Sequence, residues 1–92
     1  MDAYLITNIE ESGKFMSYCI RHNINVWRVY WDEREKGDIC YSIDWGNGRC
    51  YYDSRKWYES NGYEIFIPCF VVDEYGGYKV TNRPYFKERE YD

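Results

Sequence analysis

"ICYSIDWGNGRCYYDS", residues 39–54, decides the fold. Ile39, Tyr41, Ile43 and Trp45 alternate with Cys40, Ser42 and Asp44, the period of a strand whose two faces meet different surroundings. Asn47-Gly48 then supplies a tight-turn dipeptide, because both residues tolerate positive φ. A two-residue turn there pairs Trp45 with Cys50 and Ile43 with Tyr52, so the returning strand extends the same faces. This stretch therefore sets an antiparallel hairpin at the centre of the reading.

Working outward, "DSRKWYESNG" (53–62) breaks the alternation and predicts one short helix near 54–60, capped by Asp53 or Ser54 and ended by Gly62. "YEIFIPCFVVDE" (63–74) returns to strand, apolar on both faces, with Pro68 marking an edge segment or bulge. "YGG" turns the chain into "YKVTN", and residues 84–92 form a charged tail. On the other side, "INVWRVYW" (24–31) alternates with Trp27, Val29 and Trp31 inward, and "DEREKGD" is a polar turn. "AYLIT" (3–7) predicts a first strand.

Between these, "TNIEESGKFMSYCIRHN" predicts a helix. Thr7 or Asn8 caps it, Glu10 and Glu11 suit the positive end of the helix dipole, and Asn23 closes it. Ile9, Met16, Cys19, Ile20 and Phe15 form its apolar stripe. The architecture expected is α+β: a single domain with a four- to five-stranded, mainly antiparallel sheet and one N-terminal helix packed on it.

Ninety-two residues suffice for one core. Stability in so short a chain must be concentrated in large side chains, and 12 Tyr, 4 Trp and 4 Phe provide them. That is more rings than a small core uses, so several must reach the surface. A net charge of −4 and a pI near 5.0 oppose sequence-independent binding to nucleic acid or to an anionic membrane. The first residues have no basic segment followed by an apolar run, and the longest apolar run, "IFIPCFVV", is too short to span a bilayer. A cytoplasmic location is the expectation.

Chemistry is sparsely signalled. Cys19, Cys40, Cys50 and Cys69 contain no CxxC and the chain has a single histidine, so neither a zinc site nor any other metal or cofactor is expected. The hairpin register puts Cys40 and Cys50 too far apart for a disulfide, and reduced thiols are expected. Cys19 and His22 are three apart on one helix, but nothing supplies the orienting group or oxyanion hole that a nucleophilic pair requires. An enzyme is not expected.

Two surfaces remain. Arg28, Tyr30, Asp32, Glu33, Glu35 and Asp38, with Asp73, Glu74, Glu88 and Glu90, combine rings with acidic turns. Acids alternating along a strand are spaced similarly to phosphates on a nucleic-acid strand, so such groups suit a protein partner with a basic face. The other surface, Arg49, Tyr51, Tyr52, Arg55 and Trp57, interleaves cations with rings in the manner of a single-strand nucleic-acid or nucleotide site. In size, acidity, aromatic excess and lack of catalytic motif, the chain resembles the small inhibitors carried by phages and mobile elements. These include anti-restriction proteins, inhibitors of DNA-repair glycosylases and anti-CRISPR proteins. The resemblance is compositional and transfers no residue. The leading expectation is an inhibitor that blocks the basic surface of a nucleic-acid-processing enzyme, and a homo-oligomer is compatible with the same features.

Overall fold

Both helices among the described residues are defined by the groups that close their ends. A computed structural model of the protein describes residues 1–26 and 39–84. Helix α1 (Ile9–Arg21) starts where Asn8 accepts a hydrogen bond from the Glu11 N–H at 2.9 Å. It stops in a Schellman turn: the Asn23 N–H donates to Ile20 O, and the Ile24 N–H reaches back to Cys19 O at 2.9 Å. Asn23 takes the left-handed conformation this requires, with φ of 57°. Helix α2 (Arg55–Ser60) repeats the scheme with Ser54 as N-cap and Gly62, φ 76°, in the left-handed position. There the Tyr63 N–H bonds to Tyr58 O, bringing the two rings together edge-on at 4.8 Å.

The strands β1 (Asp2–Leu5), β2 (Ile39–Asp44), β3 (Arg49–Ser54) and β4 (Glu64–Phe66) form one mixed sheet in the order β3-β2-β1-β4. β1 pairs antiparallel with β2 but parallel with β4, Asp2 opposite Glu64. Strands β5 (Phe70–Val72) and β6 (Tyr78–Val80) form a separate hairpin that packs on α1.

The α+β expectation is met, with three corrections. The sheet is mainly antiparallel as expected, and the β1–β4 pair within it is parallel. The β2–β3 register is shifted by two: Asp44 pairs with Arg49 and Ile43 with Cys50, leaving a four-residue loop. Asp44 causes this by accepting from the Asn47 side chain at 2.7 Å and its N–H at 3.2 Å, while Gly48 N–H bonds to Asp44 O. An even shift keeps every side chain on its expected face. The 63–74 stretch divides at Pro68 between two sheets, a place where its missing N–H interrupts no ladder. On α1, Ile9, Met16 and Ile20 are exposed, whereas Ser12, Phe15, Tyr18 and Cys19 are buried.

The last correction follows from how the core is filled. One cluster, on the α1 side of the sheet, joins Tyr4, Ile6, Phe15, Tyr18, Cys19, Ile24, Tyr41 and Val80. Its centre is a ring stack in which Phe15 lies 5.2 Å from Tyr4 and 5.1 Å from Tyr41. From α1, Phe15 and Tyr18 enter this cluster beside Cys19, while Ile9, Met16 and Ile20 stay exposed. The opposite face buries Ala3, Leu5, Cys40 and Tyr58, with Tyr63 and Ile65 packed against them. β4 is thus covered on both sides, through Ile65 and Phe66, as its two apolar faces predict.

Candidate protein-binding surface

The surplus of rings emerges on β3 and α2. Tyr51, Tyr52 and Trp57 are 49, 55 and 43 % exposed, unusually high for aromatic residues held in regular structure. Strand alternation separates the tyrosines: Tyr52 sits opposite Tyr41, ring centroids 6.0 Å apart, while Tyr51 sits opposite Ser42 on the α2 side. The Ser54 cap directs α2 so that Trp57 lies edge-on to Tyr58 at 4.9 Å and 6.0 Å from Tyr63. Beneath the rings, Ser42 donates to the Tyr58 hydroxyl at 2.9 Å and Tyr58 donates onward to Tyr51 O at 3.4 Å.

Two adjoining cavities open around these rings. The larger, about 450 Å³, is lined by Tyr4, Trp45, Tyr51 and Tyr63, with Asp2 and Asp44 among its walls. The smaller, about 300 Å³, is lined by Tyr51, Tyr52, Trp57 and Tyr63, with Asp53. Ser42, Tyr51 and Tyr63 border both, so the two form one cleft. The Asn47 side chain and N–H hold the Asp44 carboxyl below its usual range and therefore ionised.

The residues expected for nucleic-acid stacking are thus only partly brought together. Tyr51 and Trp57 share the cleft and Tyr52 borders it with its ring turned toward Tyr41, whereas Arg49 and Arg55 are absent from its described walls. Arg55 instead bonds Glu59 one turn on at 3.0 Å. The charge next to these rings is that of carboxylates. Trp45, Asp44 and Asp2 are the contributors that sequence reasoning missed; Trp45 was assigned to a strand face, yet it opens the loop after β2.

Of the acidic set, Arg28, Tyr30, Asp32, Glu33, Glu35, Asp38, Glu88 and Glu90 lie outside the described residues, as do Trp27, Val29 and Trp31. Asp73 is engaged within the fold: it pairs with Arg21 and accepts from the N–H groups of Tyr75 and Gly77 at 2.8 and 3.0 Å. Burial alone would raise its carboxyl, but those two N–H groups, Arg21 and Lys79 keep it below the usual range. Gly77 permits this pairing, since a Cβ there would meet Arg21 Cδ at 2.8 Å. Glu74 beside it is exposed.

The Cys19–His22 pair has a packing role. His22 caps α1 and stacks edge-on against Tyr18 and Trp45. The Cys19 thiol is pushed up by its hydrogen bond with Cys50 and by burial, the opposite of an activated nucleophile. That contact between α1 and β3 was not foreseen; Cys40 faces the other side of the sheet, in the second cluster. Among the described residues no group of three or more His, Cys, Asp or Glu is placed to hold a metal ion, and no helix is long and apolar enough to cross a membrane. No family model, curated protein or solved structure matches the chain.

Proposed function

We propose that this chain works by binding another protein. The observation that carries the reading is the cleft in which exposed Tyr51 and Trp57 stand beside Asp53 and Asp44, with exposed Tyr52 at its border. Tyr and Trp are enriched among residues that dominate interface energy, because each buries a large rigid area at low entropic cost. Carboxylates at the margin select a partner of opposite charge and speed its approach. Combined with a net charge of −4, these features favour a basic partner. The surfaces of nucleic-acid-processing enzymes are basic because they bind phosphates. The chain is accordingly a stoichiometric inhibitor of such an enzyme, of the anti-restriction or anti-CRISPR type.

The test is affinity capture with the intact chain, followed by an assay of the captured enzyme. Expected is inhibition saturating at one chain per enzyme, weakened by salt between roughly 50 and 300 mM, and reduced by Trp57→Ala. Capture that recovers no nucleic-acid enzyme, or inhibition indifferent to salt, sinks the proposal.

A second reading, a single-stranded nucleic-acid or nucleotide-binding module, is favoured by the same three exposed rings with Arg49, Arg55 and Lys56 nearby in sequence. The carboxylates in the cleft oppose it. Tryptophan quenching by short oligonucleotides at micromolar concentration, lost in Trp57→Ala, would favour this reading over the first.

A further inference from the structure

We propose that the larger cavity receives a cationic side chain of the partner, an arginine guanidinium or a lysine ammonium, held between aromatic walls and the Asp44 carboxylate. The inference rests on the protein-binding reading and specifies what its partner must present.

The cavity's size and walls carry the argument. About 450 Å³ is ample for one long side chain and lies within the range of small-ligand sites. Four aromatic residues border it: Tyr51 and Tyr63 from the α2 side, and Trp45 and the buried Tyr4 from the ends of β2 and β1. Ring faces attract cations through their quadrupole, most strongly where water is excluded. Of the polar side chains that line it, Asp44 and Ser42 turn acceptors to the cavity, the Ser42 hydrogen pointing to Tyr58, with Asp2 and Met1 at its edge. A guanidinium carries five donors and no acceptor, and an ammonium three donors and no acceptor, so either complements this set. An anionic side chain would meet two carboxylates, and an apolar one would strip water from Asp44 without replacing it.

Trp45 already binds a cation inside the fold. The Arg83 guanidinium stands over its ring at 4.8 Å and bonds the Tyr18 hydroxyl at 3.3 Å. Arg83 is buried, 3 % exposed, and is not among the residues lining the cavity. The aromatic–guanidinium contact is therefore compatible with the local packing, and Tyr51 and Tyr63 border the cavity for a second one. Asp44 is well placed to complete it, because Asn47 keeps it ionised and fixes its orientation at the mouth of the loop.

The decisive experiment is amide NMR of the whole chain titrated with N-acetyl-arginine amide, N-acetyl-lysine amide and the citrulline counterpart, which keeps the shape of arginine without its charge. Saturable shifts at Ser42, Ile43, Asp44 and the Trp45 indole are expected with the arginine and lysine compounds in the millimolar range. They should be absent with citrulline and weakened about three- to tenfold by Asp44→Asn. Equal shifts with citrulline, shifts confined to Trp57 and Tyr52, or no shift at tens of millimolar would overturn the proposal. The arginine–citrulline comparison uses the unaltered chain, so it decides the matter even if Asp44→Asn misfolds. If a protein partner is found whose affinity is unchanged by Asp44→Asn in a folded variant, the cavity assignment fails and the protein-binding reading stands. If no protein partner exists, that reading fails, while the titration still determines what the cavity binds.

Discussion

The Ser42 hydroxyl lies 2.9 Å from the hydroxyl of Tyr58, joining the middle of β2 to the one buried residue of α2. Because Tyr58 also donates to Tyr51 O, the two residues fix the floor on which the exposed rings rest. Tyr58→Phe keeps the ring but strands the Ser42 hydroxyl and the Tyr51 carbonyl. It should destabilise the fold by about 1–3 kcal/mol, and Ser42→Ala by about 0.5–1.5 kcal/mol. The double variant should cost less than the two losses added together, since each single change already breaks the same bond. Urea unfolding of the four proteins measures this, and strict additivity would show that the bond contributes nothing.

Two glycines should respond to alanine with opposite signs. Gly62 sits at φ 76° in the turn that ends α2, so Gly62→Ala should cost about 1–2 kcal/mol. Gly13 lies inside α1 with ordinary helical backbone, and a Cβ there would meet no atom within 4 Å. Gly13→Ala should therefore add about 0.5–1 kcal/mol. Thermal melts of the two variants would separate a rise in Tm from a fall.

The four thiols should label in an order set by burial. Cys69 is exposed and Cys50 half-buried. Burial, partly countered by Arg55, pushes the Cys40 thiol up to about 11. The Cys19 thiol is raised by Cys50 and by burial. With iodoacetamide at pH 8, mass spectrometry of the native protein should find Cys69 modified first and Cys40 and Cys19 last. Early labelling of Cys19 would contradict the packing described for α1.

Stability should fall at both ends of the pH scale. The folded state holds the Asp73 carboxyl below its ordinary 3.8, so its contribution is complete above that value and is lost as pH falls further. Burial pushes the Tyr58 hydroxyl up to about 12 from 10.0, with the Ser42 hydrogen bond partly opposing it. Its contribution is complete below 10 and is lost as pH climbs through about 12. Urea midpoints against pH should show both slopes, the acid one reduced in Asp73→Asn and the alkaline one in Tyr58→Phe. An unchanged acid slope in Asp73→Asn would mean that other carboxylates control acid unfolding.

Much of this was legible because it is local. Asn8, Asn23, Ser54 and Gly62 bound their helices through bonds spanning three to five residues, and such chemistry is written in the sequence. The faces of β2 and β3 could likewise be read from alternation, even though Asp44 captured Asn47 and shifted the turn. The inward face of α1 could not, because Ser12 and Tyr18 do not count as apolar in a periodic pattern. Tyr18 is buried for reasons that lie on other strands, in Tyr4 and Phe70. The parallel pairing of β1 with β4 left no local trace at all. The rings of the candidate site stood out as a run, from Tyr51 to Trp57. The charge beside them did not, since Asp2, Asp44 and Trp45 reach the cleft from separate parts of the chain.

The position of β1 has a consequence for how the chain is born. Its parallel neighbour β4 begins at Glu64, opposite Asp2, so that flank of the strand stays unfilled until most of the chain has left the ribosome. Loop closure over such a distance costs more entropy than closing the neighbouring β2–β3 hairpin. The hairpin can form early, but the sheet is finished late, and in the interval β1 offers a hydrogen-bonding edge to any strand that arrives first. Completing the sheet therefore waits on the β1–β4 ladder, the pairing of longest sequence separation among the described strands.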